Sequence, residues 1–175
     1  MLTCRFAFVN ALFSPLLKIV RAAPVASFII LALVWIQGVR LPAFIAFLMV
    51  VPLVWTNVAE GIKRIDPALP EMAQVFGWSS KKTWLHIRVP SVMPYFLTAL
   101  SGGLGFAWKS GIAAEVICQP DLSIGKELYL SKIYLETPYV FAWTAVAIAL
   151  SLALEKGLMW LVRRYGKRFN TGEEG

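Results

Sequence analysis

The chain has 175 residues, 58% of them hydrophobic and only 15% charged, and a water-soluble domain of this length would struggle to hide so large an apolar share. Its formal charge of +7 could point to nucleic acid, but the basic residues fall in blocks between long apolar runs, and that distribution is one of membrane topology. Two cysteines, Cys4 and Cys118, make neither a disulfide framework nor a metal-ligand cluster.

Residues 1–15 lack the small-residue cleavage site of a signal peptide, and Arg5, Asn10 and Ser14 break their apolar stretch; they read as the end of a membrane helix. Residues 15–24, PLLKIVRAAP, place apolar and basic residues at helical spacing between two prolines, which suits an amphipathic segment at the cytoplasmic interface. Membrane spans are expected over about 22–38, 41–59, 91–117 and 139–162, since ~20 apolar residues cross roughly 30 Å of hydrocarbon. The first can span only by recruiting residues 36–39 or by locally thinning the bilayer. Gly38, Arg40 and Pro42 mark a tight external turn before the second.

The polar loop over 60–90 begins with a helix start, Asp66 as cap and Pro67 at the first position. Gly77 stops that helix, Ser79 or Ser80 caps a second short one, and Pro90 is expected to end it, because the residue before a proline is disfavoured in helical conformation. The third span carries Ser101, Gly102, Gly103 and Gly105, small side chains that let helix backbones approach in lipid. Residues 119–138 are too polar to span and form an external connection with a short helix from Ser123 to about Leu135.

Lysines and arginines set the orientation. Arg5, Lys18 and Arg21 precede the first span, Lys63, Arg64, Lys81, Lys82 and Arg88 lie between the second and third, and Arg163, Arg164, Lys167 and Arg168 follow the fourth. The opposite connections hold only Arg40, Lys126 and Lys132. The richer set belongs in the cytoplasm, which places the 60–90 loop and the C-terminus there.

That loop reads EMAQVFGWSSKKTWLHIRVP over 71–90. Its Met72, Val75, Phe76, Trp78, Trp84 and Leu85 are more large apolar residues than a solvated loop should present, and such a patch normally marks a protein interface. Glu71 sits near a helix N-terminus, Gly77 permits a left-handed turn, and Ala73 is expected to let a partner approach the backbone.

Glu71, Ala73 and Gly77, then nine residues, then Ile87, Arg88, Val89 and Pro90, resemble the E-A-A, x3, G, x9, I-x-L-P signature of binding-protein-dependent ABC importer permeases, with Met72 and Val89 as conservative departures. The segments FVNALFSPLLKIVRAAPVASFIILALVWI, NVAEGIKRIDPALPEMAQVFGW, AWKSGIAAEVI and SIGKELYLSKIYLETPYVFAWT look like the nitrate, sulfonate and taurine branch. The resemblance implies an all-α polytopic bundle, the permease subunit of an importer for a small anionic solute, in a bacterial inner membrane. It further implies a cytoplasmic ABC ATPase dimer docked on Glu71, Ala73, Gly77, Ile87 and Pro90, an extracytoplasmic solute-binding protein, and a second permease copy forming a homodimer. Family members carry about two further N-terminal spans, so the chain is expected to be truncated at its N-terminus or to begin at an alternative start.

Lys109 and Glu115 lie at membrane depth in AWKSGIAAEVI, where charges are costly and face a bundle interior or a water-filled path. Six residues apart on a helix, they rise by about 9 Å and share no face, so they are not expected simply to pair. Lys109 either lines an anion path or snorkels; Glu115 reads as structural, and His86 as a loop side chain. Glu155 and Lys156 suit interfacial anchoring near the inner end of the last span.

No G-x-x-x-x-G-K-[ST] sequence is present, so no cofactor is expected in this chain and ATP must be hydrolysed by another. An intramembrane enzyme would need paired polar catalysts that only Lys109 and Glu115 approach. A non-transporting membrane scaffold or degenerate permease fragment is the alternative reading.

Overall fold

The computed structural model describes the backbone of residues 2–166 and the side chains of residues 11–160. Among the described residues every regular element is helical: α1 (Leu2–Ala22), α2 (Val25–Leu33), α3 (Arg40–Lys63), α4 (Ala68–Val75), α5 (Ser80–Thr83), a π turn (Trp84–Arg88), α6 (Val89–Cys118), α7 (Ile124–Ile133) and α8 (Thr137–Gly166). The side chains of Cys4, Arg5, Arg163, Arg164, Lys167 and Arg168, used above for composition and topology, lie outside the described set.

Two helices are long and apolar enough to cross a membrane alone, Arg40–Lys63 and Thr137–Trp160, with the pair Ala11–Ala22 and Val25–Leu33 as a third if its 101° bend is one broken span. The first and third predicted spans therefore differ from expectation: α6, which holds 91–117, is long enough but falls short of the apolarity of the other two. Residues 36–39 are not helical, and α2 has nine residues, which at 1.5 Å each reach about 14 Å, half the hydrocarbon thickness. The break falls at Pro24, whose extended ψ of 134° turns the chain between α1 and α2.

The main seam joins α3 to α6. In lipid the hydrophobic effect does not drive helices together, so small side chains that allow close backbone contact carry the association. Ala99, Gly103, Ser110 and Ala114 form the buried line of α6. A Cβ on Gly103 would stand 3.0 Å from Val50, and one on Gly61 of α3 would stand 2.8 Å from the Tyr95 ring. The predicted small-residue cluster contributes unevenly, because a Cβ on Gly105 would meet nothing within 4 Å and Ser101 turns its hydroxyl to the Thr98 carbonyl at 2.9 Å. Helix periodicity brings only one residue in three or four onto a seam.

At one end of the bundle α2 packs on α3 and α6 through Ile29, Ala32, Leu41, Ile45 and Ala114, all buried. There α7 crosses between α6 and α8. Its Ser123 cap accepts from the Lys126 N–H at 3.3 Å, and the Glu115 carboxylate accepts from the Gly125 N–H at 2.9 Å. Nearby, the Lys126 ammonium holds the exposed Asp121 carboxyl below the ordinary carboxylate range, first by hydrogen bond and then by charge. That pair is intact at neutral pH and is lost as pH falls through the lowered pKa. The Trp108 indole donates to the Ala147 carbonyl at 3.1 Å, tying α6 to α8.

Gly125 has no room for a side chain: its Cβ would lie 2.3 Å from Glu115 Cβ and 2.5 Å from the Val116 nitrogen, which is backbone and cannot swing aside. Gly125→Ala should destabilise the detergent-solubilised chain by about 1–3 kcal/mol, the usual range for overpacking, read as a fall in Tm. An unchanged Tm would show that the α6–α7 contact is not this close.

Candidate functional site

The hairpin between α3 and α6 is built from local rules. Asp66 Oδ1 accepts from the Ala68 N–H at 2.9 Å, giving α4 its start. At the other end the Trp78 N–H donates to Ala73 O at 2.9 Å and the Gly77 N–H to Gln74 O at 3.0 Å, the paired bonds of a Schellman stop. That stop needs a left-handed residue, and Gly77 supplies it at φ +67°. The Ser79 hydroxyl then accepts from the Lys82 N–H at 3.3 Å and opens α5.

Pro90 does not end the second helix. The backbone stays helical from Ser80 to Cys118, with Val89 at φ −62°, ψ −51° immediately before the proline. The physical reason is the π turn over Trp84–Arg88: it shifts the hydrogen-bond register just where Pro90, in the first turn of α6, has no N–H to offer. The short helix and the long α6 are thus one mechanical element. Ser91 closes the junction by donating its hydroxyl to the Ile87 carbonyl at 2.7 Å.

The signature residues divide by exposure. Glu71 and Gly77 are exposed, Pro90 is half-buried, and Ala73 and Ile87 are buried at 0% and 8%. Ala73 therefore sits inside the chain's own packing and does not open a path for a partner's surface to its backbone, as its size had suggested. The apolar residues of the hairpin point outward: Val75 is 86% exposed, Phe76 72%, Leu85 62% and Trp84 52%, with Met72 beside them.

Trp78 is the exception among those predicted to be exposed. It is half-buried, with the Lys82 ammonium 4.5 Å over its ring centroid and His86 edge-on at 6.0 Å. His86 Nδ1 lies 3.1 Å from the Lys82 carbonyl, which can only accept, so that nitrogen carries the proton. Trp78, Lys82 and His86 form a clamp across the turn that was not foreseen; the four-residue steps from Trp78 to Lys82 and from Lys82 to His86 were its sequence signal. At the membrane junction, Arg64 pairs with Glu60 at 3.1 Å and its guanidinium lies 6.0 Å over Tyr95.

Lys109 and Glu115 are not brought together. Glu115 is engaged with Gly125 as described, while Lys109 lies on the exposed face of α6 and makes no hydrogen bond or ion pair among the described residues. Phe106 and Gly102 lie on the same exposed side.

The sequence profile described as binding-protein-dependent transport system inner membrane component matches residues 3–170. The bicarbonate transport system permease protein CmpB of Synechococcus elongatus is 28% identical over 162 residues, covering 88% of this chain and 56% of that protein. The taurine transport system permease protein TauC of Escherichia coli is 27% identical over 157 residues, covering 89% and 57%. The nitrate import permease protein NrtB of S. elongatus is 29% identical over 104 residues, covering 59% and 37%. The chain thus spans little more than half the length of the first two relatives.

Proposed function

The chain belongs to the family of binding-protein-dependent transport system inner membrane components, in the nitrate, sulfonate and taurine branch, and from that premise we propose that it forms the translocation path of an ATP-driven importer and couples to a separate ATPase through residues 68–90. The observation that carries the coupling is the outward apolar face of Met72, Val75, Phe76, Trp84 and Leu85 on a hairpin with two ordered helix caps. A flexible loop would collapse such a face; a capped hairpin keeps it available for a partner.

The continuity of α5, the π turn and α6 supplies the mechanism. Movement of a docked ATPase dimer on the hairpin displaces α5, and the displacement passes without an intervening hinge loop into α6, which carries Lys109. ATP is bound and hydrolysed by the partner. The cargo is a small anion, a reading supported by the bicarbonate, taurine and nitrate named for the relatives and by an unpaired cation on the exposed face of a membrane helix. A second copy of the chain faces that side of α6, and a solute-binding protein delivers the anion at the end where α7 crosses. The orientation puts the hairpin in the cytoplasm, following the lysine and arginine bias.

One experiment tests side and partner together. In a cysteine-free background, Ser80→Cys should react with an impermeant thiol reagent only from the cytoplasmic side and should be shielded when the ATPase is co-expressed. Ser123→Cys should react only from the opposite side, with or without the ATPase. Labelling of both from one side would overturn the topology, and full reactivity of position 80 in the ATPase complex would overturn the docking.

A further inference from the structure

Helix α1 carries an arrangement the transport reading does not use. Phe13 meets Trp55 with ring centroids 5.5 Å apart, and Arg21 Nη2 donates to Thr56 Oγ1 at 3.4 Å. Residues eight apart on α1, separated by about 12 Å of rise, thus touch neighbours about 1.5 Å apart on α3. A helix crossing α3 at a steep angle accounts for both contacts. The 101° bend between Ala11–Ala22 and Val25–Leu33, the latter packed along α3, says the same independently. With α3 across the membrane, α1 lies in its plane. Thr56 is about 24 Å along α3 from Arg40 and about 10 Å from Lys63, so the plane is the interface at the Lys63 end.

The faces of α1 fit that placement. Leu17 is buried toward the protein, whereas Leu12, Leu16 and Ile19 are 63%, 57% and 62% exposed and fall within an arc of about 60° at 100° per residue. Lys18 and Arg21, both exposed, occupy the opposite half of the helix. We propose that α1 is an in-plane membrane-surface helix that sinks Leu12, Leu16 and Ile19 among acyl chains and holds an anionic phospholipid headgroup with Lys18 and Arg21. Apolar residues on one side and cations on the other match an anionic leaflet in both depth and charge. Lys18 makes no hydrogen bond or ion pair among the described residues and is free to meet a headgroup, while Arg21 is already oriented by Thr56. The inference rests on α3 spanning the membrane and is independent of ATPase docking.

The test uses the chain in nanodiscs of phosphatidylcholine and phosphatidylglycerol in equal parts. Bimane on Leu16→Cys or Ile19→Cys should be quenched by brominated acyl chains and protected from iodide, with the reverse at Lys18→Cys. Iodide access at positions 16 and 19 overturns the proposal, and so does protection from both quenchers, which would mean that a second copy covers this face. Spin-labelled phosphatidylglycerol should associate with the native chain in preference to phosphatidylcholine, and Lys18→Gln should weaken that preference about fivefold. Lys18→Arg should restore it. A preference unchanged by Lys18→Gln refutes the headgroup site whatever the state of ATPase coupling.

Discussion

Gly77→Val should strip the ATPase from the transporter while leaving the chain in the membrane. The glycine holds φ +67° at the stop of α4, where a β-branched residue is a strong outlier. A left-handed residue costs roughly 1–2 kcal/mol for an ordinary L side chain, and valine exceeds that. A Cβ there meets nothing of the chain within 4 Å, so the strain lies in the backbone and not in a clash. Relieving it breaks the bond from the Trp78 N–H to Ala73 O and turns Val75 and Phe76 away from their common face. Gly77→Asn is the control: asparagine tolerates the left-handed region and should retain most of the bound ATPase. Glu71→Lys, in the first turn of α4, adds about 0.3–1 kcal/mol of helix-dipole penalty before any lost contact with the partner. Capture of tagged chain from detergent, with the ATPase measured by stoichiometry, reads all three. Wild-type stoichiometry for both Gly77→Val and Glu71→Lys would remove the hairpin from the coupling.

Lys109→Met should lower uptake of the transported anion by about tenfold or more, the equivalent of one charge-assisted hydrogen bond at ~1.5–3 kcal/mol. The lysine stands exposed and unpaired on α6, and methionine keeps its length and apolar stem while deleting the charge. Insertion and ATPase binding should be unchanged, because no hydrogen bond or ion pair among the described residues is lost. Lys109→Arg should keep part of the activity. Uptake at the native rate in Lys109→Met, measured with the full set of subunits, would take Lys109 off the path.

The sequence was most legible where chemistry is local. Asp66, Gly77, Ser79 and Ser123 act as caps and stops by their own side chains or freedom of backbone, and the structure uses all four in the roles their types dictate. Less was legible where a neighbour decides. Pro90 reads as a terminator from its ring, yet the π turn before it changes which carbonyl it would oppose, and a π turn has no composition of its own. Ala73 reads as a gap for a partner, although its burial depends on how the hairpin folds back on itself. The ends of α6 and α7 were placed to within two residues, but not their form: Gln119 and Leu135 take φ 47° and 57°, a region such residues ordinarily avoid, closed by local bonds such as Glu136 N–H to Ser131 O. The 101° bend falls at Pro24, which the sequence marks, whereas the contacts α1 then makes with Trp55 and Thr56, about thirty positions further on, had no local signal.

The central claim is that the exposed face of the 68–90 hairpin is what the ATPase grips, and contact at Phe76 tests it most directly. Phe76 is 72% exposed, so the photoreactive residue benzoylphenylalanine fits there without disturbing the fold. In membranes containing the full set of subunits, irradiation should join position 76 to the ATPase, whereas the same residue at Leu122, beside the α7 cap, should never do so. A chain that joins at position 76 only to lipid or to itself, with the ATPase present and active, would contradict the account.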